Sequence, residues 1–151
     1  MSFVIDRRLE VEAPASVVWD VLTDLDSYGQ WNPFVPECRS TLRPGDRIEM
    51  KVKLGRRTSR QVEQMLSFHE GREFSYRMRP LPFGALSSLR VQRVEEIDEG
   101  HCRYHTHFEL QGWLMPMVRR LLGAQLDVGF SGMTQGLKRR SEQMWASEPP
   151  I

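Results

Sequence analysis

From about Pro116 to Ala146 the chain keeps one helical period, and no other segment sustains a pattern for so long. Val118, Leu122, Leu126, Phe130, Met133, Leu137 and Met144 fall on one face, with Arg120, Asp127, Ser131, Lys138 and Glu142 opposite. A helix of that length spans ~45 Å at 1.5 Å per residue. An apolar stripe this long must be buried, so the rest of the chain has to supply one broad apolar surface to receive it. Gly129, Gly132 and Gly136 lie inside the helix. Each costs up to ~1 kcal/mol relative to Ala, which predicts either a kink or a neighbour packed very close.

The preceding residues read as that surface. Residues 3–12 alternate, with Phe3, Ile5, Leu9 and Val11 on one side and Asp6, Arg8, Glu10 and Glu12 on the other. Pro14 suits the first position of a helix over about 14–23, carrying Val18, Val21, Leu22 and Leu25. Asp24 to Pro36 is dense in turn formers and aromatics and predicts a second short helical turn. From Cys38 to Gly112 strand follows strand: Ile48, Met50, Val52 and Leu54; then Val62, Leu66 and Phe68; then Phe74, Tyr76 and Met78; finally Cys102, Tyr104, Thr106, Phe108 and Leu110. Each has one apolar and one charged face, the pattern of an antiparallel sheet covered on one side. Segment 85–97 resists assignment, because either face carries charge: Arg93 and Glu95 on one, Arg90 and Gln92 on the other. A bulge or an inward polar group is expected there.

The order β-α-α-β6-α is an α+β chain of 151 residues, read as one domain over 1–151. A net charge of +1 argues against a nucleic-acid partner. Cys38 and Cys102 are the only cysteines, in no ligand spacing, so no metal, cofactor or disulfide is expected and a reducing, cytoplasmic home fits. No apolar run is long enough for stable membrane insertion. The oligomeric state is left open, a homodimer included.

"APASVVWDVLTDLDSYGQWNPFVPE", "RPGDRIEMKV", "RYHTHFELQGWLMPMVRRLL" and "FSGMTQGLKRRSE" together resemble the START-like, or SRPBCC, superfamily in its polyketide cyclase/dehydrase and lipid-transport-like branch, over nearly the whole chain. The resemblance implies a helix-grip fold, with a seven-stranded curved antiparallel sheet around the long C-terminal helix and a deep apolar cavity between them. The superfamily spans carriers, cyclases, hormone receptors and co-chaperones, so the scaffold does not name the ligand.

The residues assigned to the space between sheet and helix are Trp31, Phe34, Met50, Phe74, Tyr76, Met78, Tyr104, Thr106, Phe108, Phe130 and Met133, with Arg90 or Arg93 as an anchor for a ligand oxygen and Glu95 or Glu96 as that arginine's partner. Large, adaptable apolar groups with a few oriented polar ones describe a small-molecule site. The expected function is binding of a small, largely hydrophobic molecule, lipid, polyketide or isoprenoid-like. A cyclase or dehydratase in the same cavity is the alternative, with a Tyr hydroxyl as proton donor and an Arg as enolate stabiliser. A third reading is a ligand-free partner-binding module using the outer sheet face or the basic hairpin Lys51, Lys53, Arg56, Arg57 and Arg60. His101, His105 and His107 share the outward face of the last strand and lack a third inward ligand.

Overall fold

A computed structural model describes residues 2–147. Strands β1 (Ser2–Val11), β2 (Glu37–Ser40), β3 (Arg47–Leu54), β4 (Arg57–His69), β5 (Glu73–Met78), β6 (Ser87–Asp98) and β7 (His101–Gln111) form one antiparallel sheet in the order β1-β7-β6-β5-β4-β3-β2. The first two strands are the two edges. Helix α1 (Ala15–Thr23) and a 3-10 turn (Leu25–Gln30) carry the chain across between them, and hairpins bring it back until β7 pairs with β1 along its whole length. The long helix α2 (Met115–Ser147) then covers the apolar face, packing on β1, α1, β3 and β7. The composition of Ser147–Ile151 predicts a frayed end, which past Ser147 lies outside the described residues.

Alternation predicts most strand faces correctly, and the exceptions have local causes. Pro14 is extended (φ −61°, ψ 151°), so it caps α1 and does not open it; its carbonyl accepts from Val17 and Val18. The expected Val62–Leu66–Phe68 face does not form. The pairing of β4 with β5 shifts between Met65 and Ser67, a bulge that turns Val62 and Leu66 to solvent and Glu63, Met65 and Phe68 toward the helix. In β6 pairing is unbroken from Ser87 to Glu96, so the charged residue on each face is genuine and Arg90 and Gln92 point inward.

Helix α2 runs without interruption through its glycines. A Cβ on Gly129 would lie 2.3 Å from the Phe34 ring, and one on Gly136 would lie 2.4 Å from the Trp31 carbonyl oxygen. The glycines therefore admit a close neighbour, not a kink. Met144, assigned to the buried stripe, is exposed because the sheet ends short of the last turns. Lys138 and Glu142, placed on the solvent side, clamp the helix to β1: the Lys138 ammonium donates to the Glu10 carbonyl, and the Glu142 carboxylate accepts from the Glu12 amide.

On the outer face, Asp6 of β1 sits opposite His107 and bonds the rings of His105 and His107, each at 2.8 Å. Burial alone would raise the Asp6 carboxyl, but these bonds and the nearby Arg8 outweigh it and hold the group down at about 2. A depressed carboxyl contributes stability above its ordinary range and loses it as pH falls through the folded value. Asp6→Asn is therefore expected to lower the melting temperature at pH 6 and to change it little at pH 2, measured by circular dichroism.

Candidate functional site

The interior is organised around one guanidinium. Arg90 is 4% exposed, and its β6 position faces Phe108 on one side and Tyr76 on the other. Its Nε donates to Thr106 Oγ1 at 3.3 Å, Nη1 to the Tyr76 hydroxyl at 3.3 Å and Nη2 to the Met133 thioether at 3.2 Å, while the charge lies 4.5 Å from the centre of the Phe130 ring. A guanidinium has five N–H donors and is always charged, and a thioether is a weak acceptor. Among the described residues no carboxylate comes within 4.0 Å of it. Glu95 approaches Arg103 at 3.8 Å, and Glu96 is exposed, so neither is the partner expected for Arg90; Arg93 points outward to Glu73 at 2.7 Å.

Two tyrosines complete the polar layer. The Tyr104 hydroxyl donates to Gln92 Oε1 at 2.7 Å, and Gln92 Nε2 donates to the Tyr76 hydroxyl at 3.3 Å. Tyr76 thus accepts twice, and its own proton goes to no described residue. Burial raises both phenols above their ordinary range, against the pull of Arg90, so both remain neutral donors. Glu63 also faces inward, paired with Ile48 and Met78. Burial pushes its carboxyl up to about 7, again against Arg90.

The deep cavity implied by the resemblance is closed around Arg90, because Phe130 and Met133 lie on the guanidinium. Beside it a largely apolar cleft of about 480 Å³ opens to solvent, bounded by Pro33, Phe34 and Lys53 on one side and Gln125, Val128 and Gly129 of α2 on the other. Its wall is built locally. Asn32 Oδ1 accepts from the Phe34 and Val35 amides at 3.0 and 2.8 Å, and the Phe34 carbonyl accepts from Lys53 at 2.8 Å. Phe34 is thereby held between the cleft and Phe130, whose ring is 4.9 Å away; Phe108 packs on Phe130 at 4.8 Å. The path from cleft to charge is therefore Phe34, Phe130, Arg90.

Eight of the residues assigned from sequence converge there: Phe34, Tyr76, Arg90, Tyr104, Thr106, Phe108, Phe130 and Met133. Phe74 stacks on Tyr76 at 6.1 Å, and Met78 is partly buried beside Glu63. Trp31 packs on Tyr28 at 5.0 Å and Met50 pairs with Cys38, and neither is among the groups bonded to the guanidinium. Gln92 and Glu63 are the polar members that sequence reasoning left out. Gln92 follows from Arg90 by strand alternation once one of them is known to face inward. Glu63 carried no such signal, because its direction depends on the bulge.

A family model described as "Polyketide cyclase / dehydrase and lipid transport" matches residues 2–142. The chain belongs to that family. Members of the polyketide cyclase/dehydrase and lipid transport family are scaffold relatives, and the solved structures agree on the scaffold. An aromatase/cyclase, Zhui from Streptomyces sp. R1128, superposes with a TM-score of 0.82 at 13% identity over 100% of both chains. A START superfamily protein from Mycobacterium smegmatis gives 0.71 at 17% identity over 93% of this chain and 98% of its own. Norcoclaurine synthase from Thalictrum flavum, in complex with dopamine and hydroxybenzaldehyde, gives 0.70 at 15% identity over 99% and 90%. No curated protein sequence matches significantly. At these identities the likeness establishes the START-like helix-grip fold and leaves the ligand to the residues.

Proposed function

We propose that this single-domain protein binds a small, largely hydrophobic molecule of lipid, polyketide or isoprenoid character in the cytoplasm, admitting it through the cleft beside Phe34 and holding one of its oxygens at Arg90. The observation that carries this reading is the buried charge. An isolated buried cation is costly unless something pairs with it, and Arg90 has only long neutral bonds, a thioether and an aromatic face. A carboxylate, enolate or polarised carbonyl of a ligand would complete its shell, with the free Tyr76 proton as a second donor to the same oxygen. Phe130 and Met133 occupy the place the ligand would take, and a Met side chain moves aside at small cost. The cleft volume falls in the range usual for small-molecule sites. A mass-spectrometric inventory of the native protein should reveal a co-purifying apolar molecule bearing such an oxygen, and a hydrophobic fluorescent probe should bind and be displaced by it. Absence of both a co-purifying molecule and probe binding would overturn the reading.

Glu63 favours a second reading, a cyclase or dehydratase in the same space. A carboxyl near 7 on the inward face is matched to proton transfer at neutral pH. Incubation with poly-β-keto thioesters should then give product above the spontaneous background, with a pH inflection near 7 that Glu63→Gln removes; background-level product counts against it. Whichever reading holds, the raised carboxyl has a stability consequence. The neutral form is favoured in the folded state, so its contribution is complete below the ordinary carboxyl range and falls as pH rises through about 7. Glu63→Gln should raise the melting temperature at pH 8 and much less at pH 5.

A further inference from the structure

One pole of the molecule combines exposed large apolar side chains with cations and no acids. Phe83, in the β5–β6 connection, is 96% exposed; Trp113, at the turn into α2, is 66% exposed; Leu121 is 68% exposed, and Leu81 and Met117 stand beside them. Isolated exposed apolar residues are ordinary, whereas two large exposed aromatic side chains held together on bonded loops mark a candidate interaction site. The two loops form one platform. The Trp113 indole N–H donates to the Phe83 carbonyl at 3.0 Å, and the amides of Trp113 and Leu114 donate to Gly84 and Ala85 at 3.3 and 2.9 Å. Phe83 adopts a left-handed backbone (φ 60°), which a bulky side chain rarely does. That conformation, fixed by the platform, holds its ring in solvent, where hydrophobicity alone would not leave it.

The segments that build the platform carry charge of one sign. The segments 77–88 and 110–126 contain Arg77, Arg79, Arg119 and Arg120 at the surface and no Asp or Glu. The first turn of α2 also lacks an acid. Arg119 and Arg120 border a hollow of about 280 Å³ with Met115 and Pro116. The carboxylates that adjoin the second segment are engaged: Glu109 is bonded by Gln111, and Asp127, which lines a hollow with Arg119 and Asp6, is paired with Arg7. A second copy of this chain would set arginine against arginine, so self-association is disfavoured and an anionic surface fits. The basic hairpin offers less: Lys51 is paired with Glu37 and Arg60 with Glu49, each at 3.1 Å, and no large apolar group projects from its tip.

We propose that this pole docks reversibly on an anionic lipid bilayer, with Phe83 and Trp113 entering the interface and Arg79, Arg119 and Arg120 meeting lipid phosphates. Aromatic side chains settle at the headgroup level, and each arginine near an anionic leaflet adds to the attraction. Among the described residues no helix is long and apolar enough to cross a membrane, so the contact is peripheral. The inference does not depend on the interior ligand.

The test is flotation of the full chain with phosphatidylcholine vesicles, with and without about one-third phosphatidylglycerol, an anionic fraction high enough for a clear surface potential. Binding is expected only to the anionic vesicles, to weaken with salt, and to shift tryptophan emission to the blue. Arg119→Glu with Arg120→Glu should weaken it by at least about tenfold. Phe83→Ser with Trp113→Ser should do likewise, while Arg56→Glu with Arg57→Glu at the hairpin should not; unchanged circular dichroism shows that each variant folds. No binding to anionic vesicles, binding indifferent to the two pole variants, or a dimer in solution that those variants dissolve would overturn the proposal.

Discussion

Arg90→Met is expected to weaken ligand binding severely and to leave the fold at least as stable as before. The two effects run in opposite directions because Arg90 is poorly served by its own protein. Its bonds to Thr106 and Tyr76 are 3.3 Å long and its third partner is a thioether, with no carboxylate within reach among the described residues. Methionine fills similar volume, removes the buried charge, and leaves Tyr76 bonded to Gln92. Losing the hydrogen bond to Thr106 costs ~1 kcal/mol, whereas replacing buried charged groups by apolar ones of similar size is often neutral or stabilising by ~1–4 kcal/mol. Thermal melting should therefore stay level or rise. Charge-assisted bonds to a ligand oxygen are worth ~1.5–3 kcal/mol, so probe or ligand affinity should fall by between ~10- and ~100-fold. Arg90→Lys keeps the charge without the planar fork and should recover only part of it. A variant that melts far below the parent would make Arg90 a structural residue and remove the main support for the ligand site.

Gly136→Ala and Gly123→Ala should change stability in opposite senses, although both lie in α2. In an ordinary helix interior either substitution gains ~1 kcal/mol. At Gly123 the new methyl meets Arg119 and Phe3 side-chain atoms at 3.7 and 3.8 Å, ordinary contact, so the gain should be kept. At Gly136 it would lie 2.4 Å from the Trp31 carbonyl oxygen, which belongs to the backbone and cannot rotate away. Overpacking of that kind costs ~1–3 kcal/mol or more, enough to reverse the propensity gain. The helix and the Trp31–Phe34 segment would have to separate, and the cleft wall would move with them. Urea denaturation of the two variants gives the signs directly; a stabilised Gly136→Ala would mean that the approach of the two elements is looser than described.

Much of the site was legible because residues with inward periodicity include those that surround the guanidinium. Tyr104, Thr106 and Phe108 alternate along β7, and Phe130 and Met133 recur on α2, so their convergence follows once helix lies on sheet. Arg90 was legible only as one of two choices. Glu63 was not, since the alternation that puts Val62, Leu66 and Phe68 on one face places it on the other, and the shift after Met65 turns it inward. Trp31 belongs to a rich aromatic segment, yet its partner is Tyr28, a choice set by the turn and by the room that Gly136 leaves.

The element order, a sheet with one apolar face, and a helix long enough to cover it are legible in the chain alone. These depend on periods of two and 3.6, which are properties of neighbouring residues. Contacts between distant segments, by contrast, bury Arg90 and not Arg93, turn Glu63 inward with it, and close Phe130 and Met133 over the charge. Those outcomes depend on register and on packing between distant segments, and a shift of a single residue sends every side chain of a strand to the opposite face.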